Sequence, residues 1–288
     1  MRAFTYLRPV DAAEAVTLLD EHAPDARVIA GGQNLLLGMK DRSDSPAVLV
    51  SLGGLPELQG VRTTESGELV VGAATTYASI ARTPFTGWHS EIAAVCGNLA
   101  DRPVRTMGTI GGAACSADPR YDIPALLTGV GATLEILSSS GPRILQPSEF
   151  FIESGGTSMR PGDLLMAIRF PARGAFTSVV FEKFRQRVFD AALASTVVAL
   201  CVKDGLISDF RLTVGATTPR PTVCVTSTAG VMGQPVGAID PILMADAAAI
   251  EVLGPEAKTD SAHLRYQREL IKSVTRKTLI RITATRRS

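Results

Sequence analysis

The chain opens on an amphipathic run. Ala15, Val16, Leu18 and Leu19 fall on one helical face behind Asp11, and Glu14 stands three residues on, as at a capped helix start. Arg27-Val28-Ile29-Ala30, stopped by Gly31-Gly32, and Ala47-Val48-Leu49-Val50-Ser51-Leu52 are short apolar runs bounded by turn residues. They predict buried strands, and the alternation of strand and helix predicts an α/β lobe over residues 1–55.

After Gly53-Gly54 the texture changes. Val61-Arg62 and Leu69–Ala73 predict strands joined through Glu65-Ser66-Gly67, and Ile92, Val95, Cys96 and Leu99 mark one face of a helix over Ser90–Leu99. A glycine-rich segment, Met107–Ala117, precedes a helical stretch at Asp122–Leu127 and strands at Ala132–Leu137 and Leu164–Phe170. From Phe176 onward, Ser178–Phe184, Ser195–Val202 and Asp209–Gly215 predict an antiparallel sheet with a turn at Gly205, and helices follow at Leu243–Leu253 and Arg265–Ile280. The pattern divides the chain into residues 1–55, 56–175 and 176–288, and its fold class is α+β.

Composition narrows the class without naming an activity. With 288 residues, 45% hydrophobic and 20% charged, the chain has room for about two domains and is neither fibrous nor disordered. A formal charge of +1, one Trp and four Tyr leave little for binding nucleic acid. Cys96, Cys115, Cys201 and Cys224 lie far apart, which predicts buried thiols in a reducing, cytoplasmic setting and no metal site. The first residues lack a secretory pattern, and the uncharged stretch Pro221–Ile239 is broken by Gly230, Gly233 and Pro235, so no transmembrane segment is expected. Charge is uneven: from Arg265 to the end there are eight basic residues and one acidic. Leu264, Leu270, Ile271, Val274 and Leu279 run beneath them, the pattern of a terminal helix with a solvated face capped by Ser261.

Two segments carry candidate chemistry: Val28-Ile29-Ala30-Gly31-Gly32-Gln33-Asn34-Leu35 and Met107-Gly108-Thr109-Ile110-Gly111-Gly112-Ala113-Ala114. Each runs from apolar residues into a Gly-Gly pair. Loops of this kind can turn several backbone N–H groups toward one point and bind phosphate oxygens without a Lys or Arg. They fit equally well as tight turns where strands pack closely. Neither is a G-x-G-x-x-G or a P-loop, and Gly129-Val130-Gly131 fails as the former because Leu134 stands where the third glycine belongs.

Taken together and in order, these motifs resemble the flavin-binding medium subunits of molybdenum hydroxylases, the family that includes carbon monoxide and xanthine dehydrogenases. The likeness covers nearly the whole chain: Phe4-Thr5-Tyr6-Leu7-Arg8-Pro9, Ala30–Leu35, Gly72-Ala73-Ala74-Thr75-Thr76, Arg105–Gly112, Asp118–Leu126, Glu182-Lys183 and Asp190. It implies a two-subdomain FAD-binding lobe of the vanillyl-alcohol-oxidase type over residues 1–55 and 56–175, and a C-terminal flavoprotein domain of antiparallel sheet and helices over 176–288. FAD would be held by Val28, Ile29, Ala30, Gly31, Gly32, Gln33, Asn34 and Leu35 on one side of its diphosphate and by Thr109, Ile110, Gly111, Gly112 and Ala113 on the other. Asp122 would meet the adenosine end, Lys183 would lie near the flavin ring and Leu165 would line the cofactor cleft.

The same resemblance implies an oxidoreductase subunit with no substrate-converting or metal-ligating residue of its own. Its partners would be a small chain with [2Fe–2S] clusters and a large chain with a molybdenum-pterin cofactor, in a dimer of heterotrimers (a heterohexamer). Electrons would pass from the clusters to the flavin and on to an external acceptor. A free-standing flavin oxidase or reductase, and a non-enzymatic binding protein whose glycine pairs are only turns, are the rival readings. The chain departs from the family in Gln33-Asn34, commonly His-Ser, in Ala113, often Asn, and in Ala191, where some members carry an aromatic over the flavin. Asp122 also suits a helix cap, Lys183 a solvated strand, and Arg105 and Arg120 surface charge. His22, His89 and His263 are isolated.

Overall fold

The first helix begins where its cap predicts. In the computed structural model, which describes residues 1–153, 155–255 and 261–284, the Asp11 carboxylate accepts the Glu14 amide at 2.8 Å. Glu14 in turn accepts the Val10 amide, one residue before the cap, at 2.6 Å. The lobe runs β1 (Thr5–Leu7), α1 (Ala12–Glu21), β2 (Ala26–Ile29), α2 (Leu35–Asp41) and β3 (Val48–Ser51). Its three strands form a parallel sheet in the order β1-β3-β2. Val16 and Leu19 of α1 pack with Val48, Val50 and Leu52, and full burial of each such side chain stabilises the lobe by about 1.5–3 kcal/mol. The pattern of apolar positions misses β1 and α2, which are short and mostly unburied.

The middle of the chain adds β4 (Val61–Thr63), β5 (Leu69–Gly72), α3 (Tyr77–Arg82), α4 (His89–Gly97), α5 (Arg102–Met107), α6 (Ile110–Ser116) and α7 (Asp122–Val130). It continues through β6 (Thr133–Ser138), β7 (Gly141–Leu145), α8 (Pro147–Phe150) and β8 (Leu164–Phe170). Five strands pair antiparallel in the order β4-β5-β8-β6-β7. One face of that sheet and helices α3, α4, α6 and α7 bury Val71, Ile92, Ile110, Leu126, Leu134 and Ile168 in the largest core.

β9 (Ser178–Phe184), β10 (Ala194–Lys203), β11 (Leu206–Gly215) and β12 (Thr222–Cys224) form the predicted antiparallel sheet, in the order β12-β11-β10-β9. Both of its faces are covered. Val197 and Ala199 join the largest core, while Val198 and Leu200 pack with Met244 of α9 (Pro241–Leu253) and with Ile271, Leu279 and Ile282 of α10 (Ala262–Ala284). A Cβ on Gly129 of α7 would sit 2.6 Å from Val197 Cβ, so the Gly129-Val130-Gly131 run serves close helix–sheet packing. The basic face of α10 is only partly solvated: Lys272 pairs with Asp246, Lys277 with Glu182, and Arg281 with Glu182 and Glu91. Ser261 caps α10 through the Leu264 amide, as predicted, at 3.1 Å. The last four residues of the basic tail lie outside the described residues. No helix among the described residues is long and apolar enough to cross a membrane. Three cysteines are at least partly buried, but Cys115 is exposed on α6, contrary to the expectation of buried thiols.

His89 is buried where α4 meets the end of β8, its Nε2–H donating to the Pro171 carbonyl at 2.8 Å. Burial, reinforced by Arg173, lowers its pKa despite that bond. A group whose pKa falls on folding contributes stability above its unfolded value, about 6.5, and loses it as pH drops. His89→Gln retains a donor but does not titrate. Thermal melts between pH 7.5 and 5 are expected to show a smaller fall in Tm for the variant than for the wild type.

Candidate functional site

The two glycine segments meet. β2 ends at Ile29, whose carbonyl accepts the Leu52 amide at 2.9 Å, and the chain then turns through Ala30–Asn34 into α2. Gly31 lies directly on the backbone of the second segment: a Cβ there would overlap the Met107 carbonyl and stand 2.9 Å from Gly108 Cα. Gly32 has φ +67°, the left-handed region that glycine enters at least cost. The amides of Gly31, Gly32, Gln33 and Asn34 donate no hydrogen bond among the described residues. Four in succession at a half-exposed turn form an array suited to an anion's oxygens.

The second segment has a different hydrogen-bonding character. Ile110 N–H donates to the Thr75 carbonyl at 3.1 Å and Gly111 N–H to the Ala73 carbonyl at 2.9 Å. Gly112 N–H donates to Thr109 Oγ1 at 3.1 Å, and Ala113 N–H to the Thr109 carbonyl at 3.1 Å. The segment opens α6, so capping and the turn after β5 take up four of its amides, while the Thr109 N–H donates to no group among the described residues. Gly111 is required for contact instead: a Cβ there would lie 2.6 Å from both the Cβ and the carbonyl oxygen of Ala73. The second loop is thus a floor on which the first is seated.

Asp122 and Lys183, expected at opposite ends of an extended FAD, form one ion pair, Lys183 Nζ donating to Asp122 Oδ2. The side chains are 2% and 10% exposed. The pair thus joins the two residues expected at the adenosine and flavin ends of the cofactor. Asp122 does not cap α7 either; Tyr121 occupies the cap without a side-chain bond, and Asp122 is the first helical residue. Burial raises the Asp122 pKa, against the pull of Lys183 and Arg185. Tyr77 is raised too, by burial and then by Cys96, Tyr121 and Asp122.

Other expected residues fall as follows. Leu165 is buried on β8 and packs in the largest core. Arg105 donates to the Leu99 and Ala100 carbonyls at 2.8 and 2.7 Å, and Arg120 is bound to Asp118, so both are held by the protein. Asn34 makes two side-chain bonds: its Nδ2 donates to Ser116 Oγ at 2.6 Å, and its Oδ1 accepts the Tyr121 hydroxyl at 2.9 Å. Ser116 and Tyr121 escaped the sequence reading because nothing local marks them as partners of a loop over 80 residues away.

Comparison with known proteins agrees with this architecture. Residues 2–173 match the family model for the FAD binding domain in molybdopterin dehydrogenase, and residues 179–282 that for the CO dehydrogenase flavoprotein C-terminal domain. The carbon monoxide dehydrogenase medium chain of Afipia carboxidovorans is 36% identical over 220 residues, which is 75% of this chain and 76% of that protein. Caffeine dehydrogenase subunit beta of a Pseudomonas species is 30% identical over 237 residues, 82% of this chain and 80% of its own. Among solved structures, quinoline 2-oxidoreductase from Pseudomonas putida 86 superposes with a TM-score of 0.86 at 28% identity, covering 99% of this chain and 98% of that one.

Proposed function

The chain belongs to the flavoprotein medium subunits of molybdopterin dehydrogenases, and from that premise we propose that it relays electrons within a larger assembly. Its FAD would take them from [2Fe–2S] clusters on a small partner chain and pass them to an external acceptor. A large partner chain would hold the molybdenum-pterin cofactor and the organic substrate, the whole a dimer of heterotrimers in the cytoplasm. Residues 1–55 and 56–175 would be the two FAD-binding subdomains and residues 176–288 the C-terminal flavoprotein domain.

The observation that carries the reading is the run of unpartnered amides at Gly31–Asn34, on a loop seated against Met107-Gly108. That array suits a diphosphate, and the lack of side chains at Gly31 and Gly32 leaves room for it. Val28–Leu35 would wrap the diphosphate while Thr109–Ala113 hold the loop's seat. Lys183 would provide the cation for the flavin ring, with Asp122 fixing the position of its ammonium. FAD itself supplies the capacity to accept electrons singly and release them as a pair, and the protein supplies binding, orientation and field.

Purified full-length chain is expected to be yellow and to release about one FAD per chain on denaturation. A colourless protein that FAD cannot reconstitute would overturn the flavin reading. Affinity purification from the native source is expected to bring down an iron–sulfur chain and a large molybdenum chain together. Recovery of the flavoprotein alone, under conditions that keep complexes intact, would overturn the assembly.

A further inference from the structure

We infer that the Asn34 side chain is a latch that holds the anion-binding loop in its binding conformation before the ligand arrives. The inference rests on the flavin reading above and deepens it, since Asn34 then acts through position and not only as a contact. The loop is pinned on both sides of its open amides. At one end Gly31 rests on the Met107 carbonyl. At the other, Asn34 bonds to Ser116 at the end of α6 and to Tyr121 at the start of α7. One donor and one acceptor of a single carboxamide therefore tie the turn after β2, in the three-stranded lobe, to two helices of the five-stranded lobe.

A loop whose four amides have no protein partner among the described residues is not held by its own backbone bonds, so its order depends on its two ends. Fixing both ends lowers the ordering cost that the ligand would otherwise meet on binding. The geometry is specific to a planar amide. A hydroxyl or methyl at position 34 could not reach Ser116 Oγ and Tyr121 Oη together. Asn34, Ser116 and Tyr121 are exposed or half-exposed, so removing these bonds leaves the cores intact.

The test is FAD release from the full-length loaded chain, followed by the rise in flavin fluorescence, with NMR order parameters of the backbone amides measured in the apoprotein. Asn34→Ala is expected to speed release about tenfold, and Tyr121→Phe or Ser116→Ala about threefold each, as fits the loss of two and of one modest hydrogen bonds. The double variant N34A/Y121F should release FAD no faster than N34A, because both changes remove the same bond. Backbone order parameters at Gly31–Asn34 in the apoprotein should fall in N34A. Release at the wild-type rate in N34A, independent effects in the double variant, or unchanged order parameters would each overturn the latch. A wild-type chain that takes up no FAD would instead overturn the flavin reading, and the order parameters would then judge the latch by themselves.

Discussion

Gly31→Ala is expected to cost the chain most of its FAD, whereas Gly32→Ala should weaken retention only modestly and Gly54→Ala should leave it unchanged. The ranking follows from what each added methyl would meet. At Gly31 it overlaps the Met107 carbonyl, a backbone atom fixed by the helix that precedes it, so the two loops must part. Overpacking of this kind costs about 1–3 kcal/mol, and the upper end corresponds to roughly a hundredfold in affinity. At Gly32 the neighbour is Leu36 Cδ1 at 3.0 Å, the far end of a flexible side chain, and the main penalty is the φ of +67°, about 1–2 kcal/mol. Gly54 has open space around it. FAD stoichiometry and Tm of the three purified variants check the order. Equal FAD content in G31A and G54A would mean that contact between the loops is irrelevant to the cofactor.

The parts of this fold that were legible in the sequence are those whose pattern comes from burial. β8 and β9 have the predicted bounds, Leu164–Phe170 and Ser178–Phe184, because their apolar residues face a core. α9 and α10 were visible for the same reason. α5 was not: none of its residues is buried, so it has no apolar stripe, and Asp101 with Pro103 is its only signal. α6 is hidden inside a glycine-rich run that reads as loop, so the partners of its amides are not legible: the Gly111 N–H goes to the Ala73 carbonyl and the Gly112 N–H to Thr109 Oγ1. Membership of the family is legible in the loops and their neighbours, while the state of the loops' hydrogen bonds is not. The Asn34–Tyr121 and Asp122–Lys183 contacts join residues 87 and 61 positions apart, and no local rule pairs them.

The Asp122–Lys183 pair leads to the other large effect. Lys183→Met leaves a carboxylate whose side chain is 2% exposed without its counter-charge, and breaking a buried pair from one side typically destabilises by about 3–5 kcal/mol. At about 2–4 °C per kcal/mol for a chain somewhat shorter than this one, Tm should fall by roughly ten degrees. The sign of the pH dependence is fixed by Asp122, whose pKa burial already raises and the loss of Lys183 would raise further. A carboxyl with a raised folded pKa binds its proton more readily in the folded state, so its stability contribution is lost as pH climbs through that value. The Tm gap between K183M and wild type should therefore widen from pH 5 to pH 8. Asp122→Leu in the same chain removes the orphaned charge and should recover most of the loss, since an apolar pair of similar volume often replaces a buried ion pair without penalty. FAD content separates the roles of the pair. If its purpose is structural, K183M/D122L will bind FAD as the wild type does; if Lys183 serves the flavin, the double variant will regain its Tm but show a lower flavin midpoint potential, because the cation that favours the reduced, more negative ring has gone. Recovery of both Tm and potential in the double variant would remove Lys183 from the flavin's surroundings.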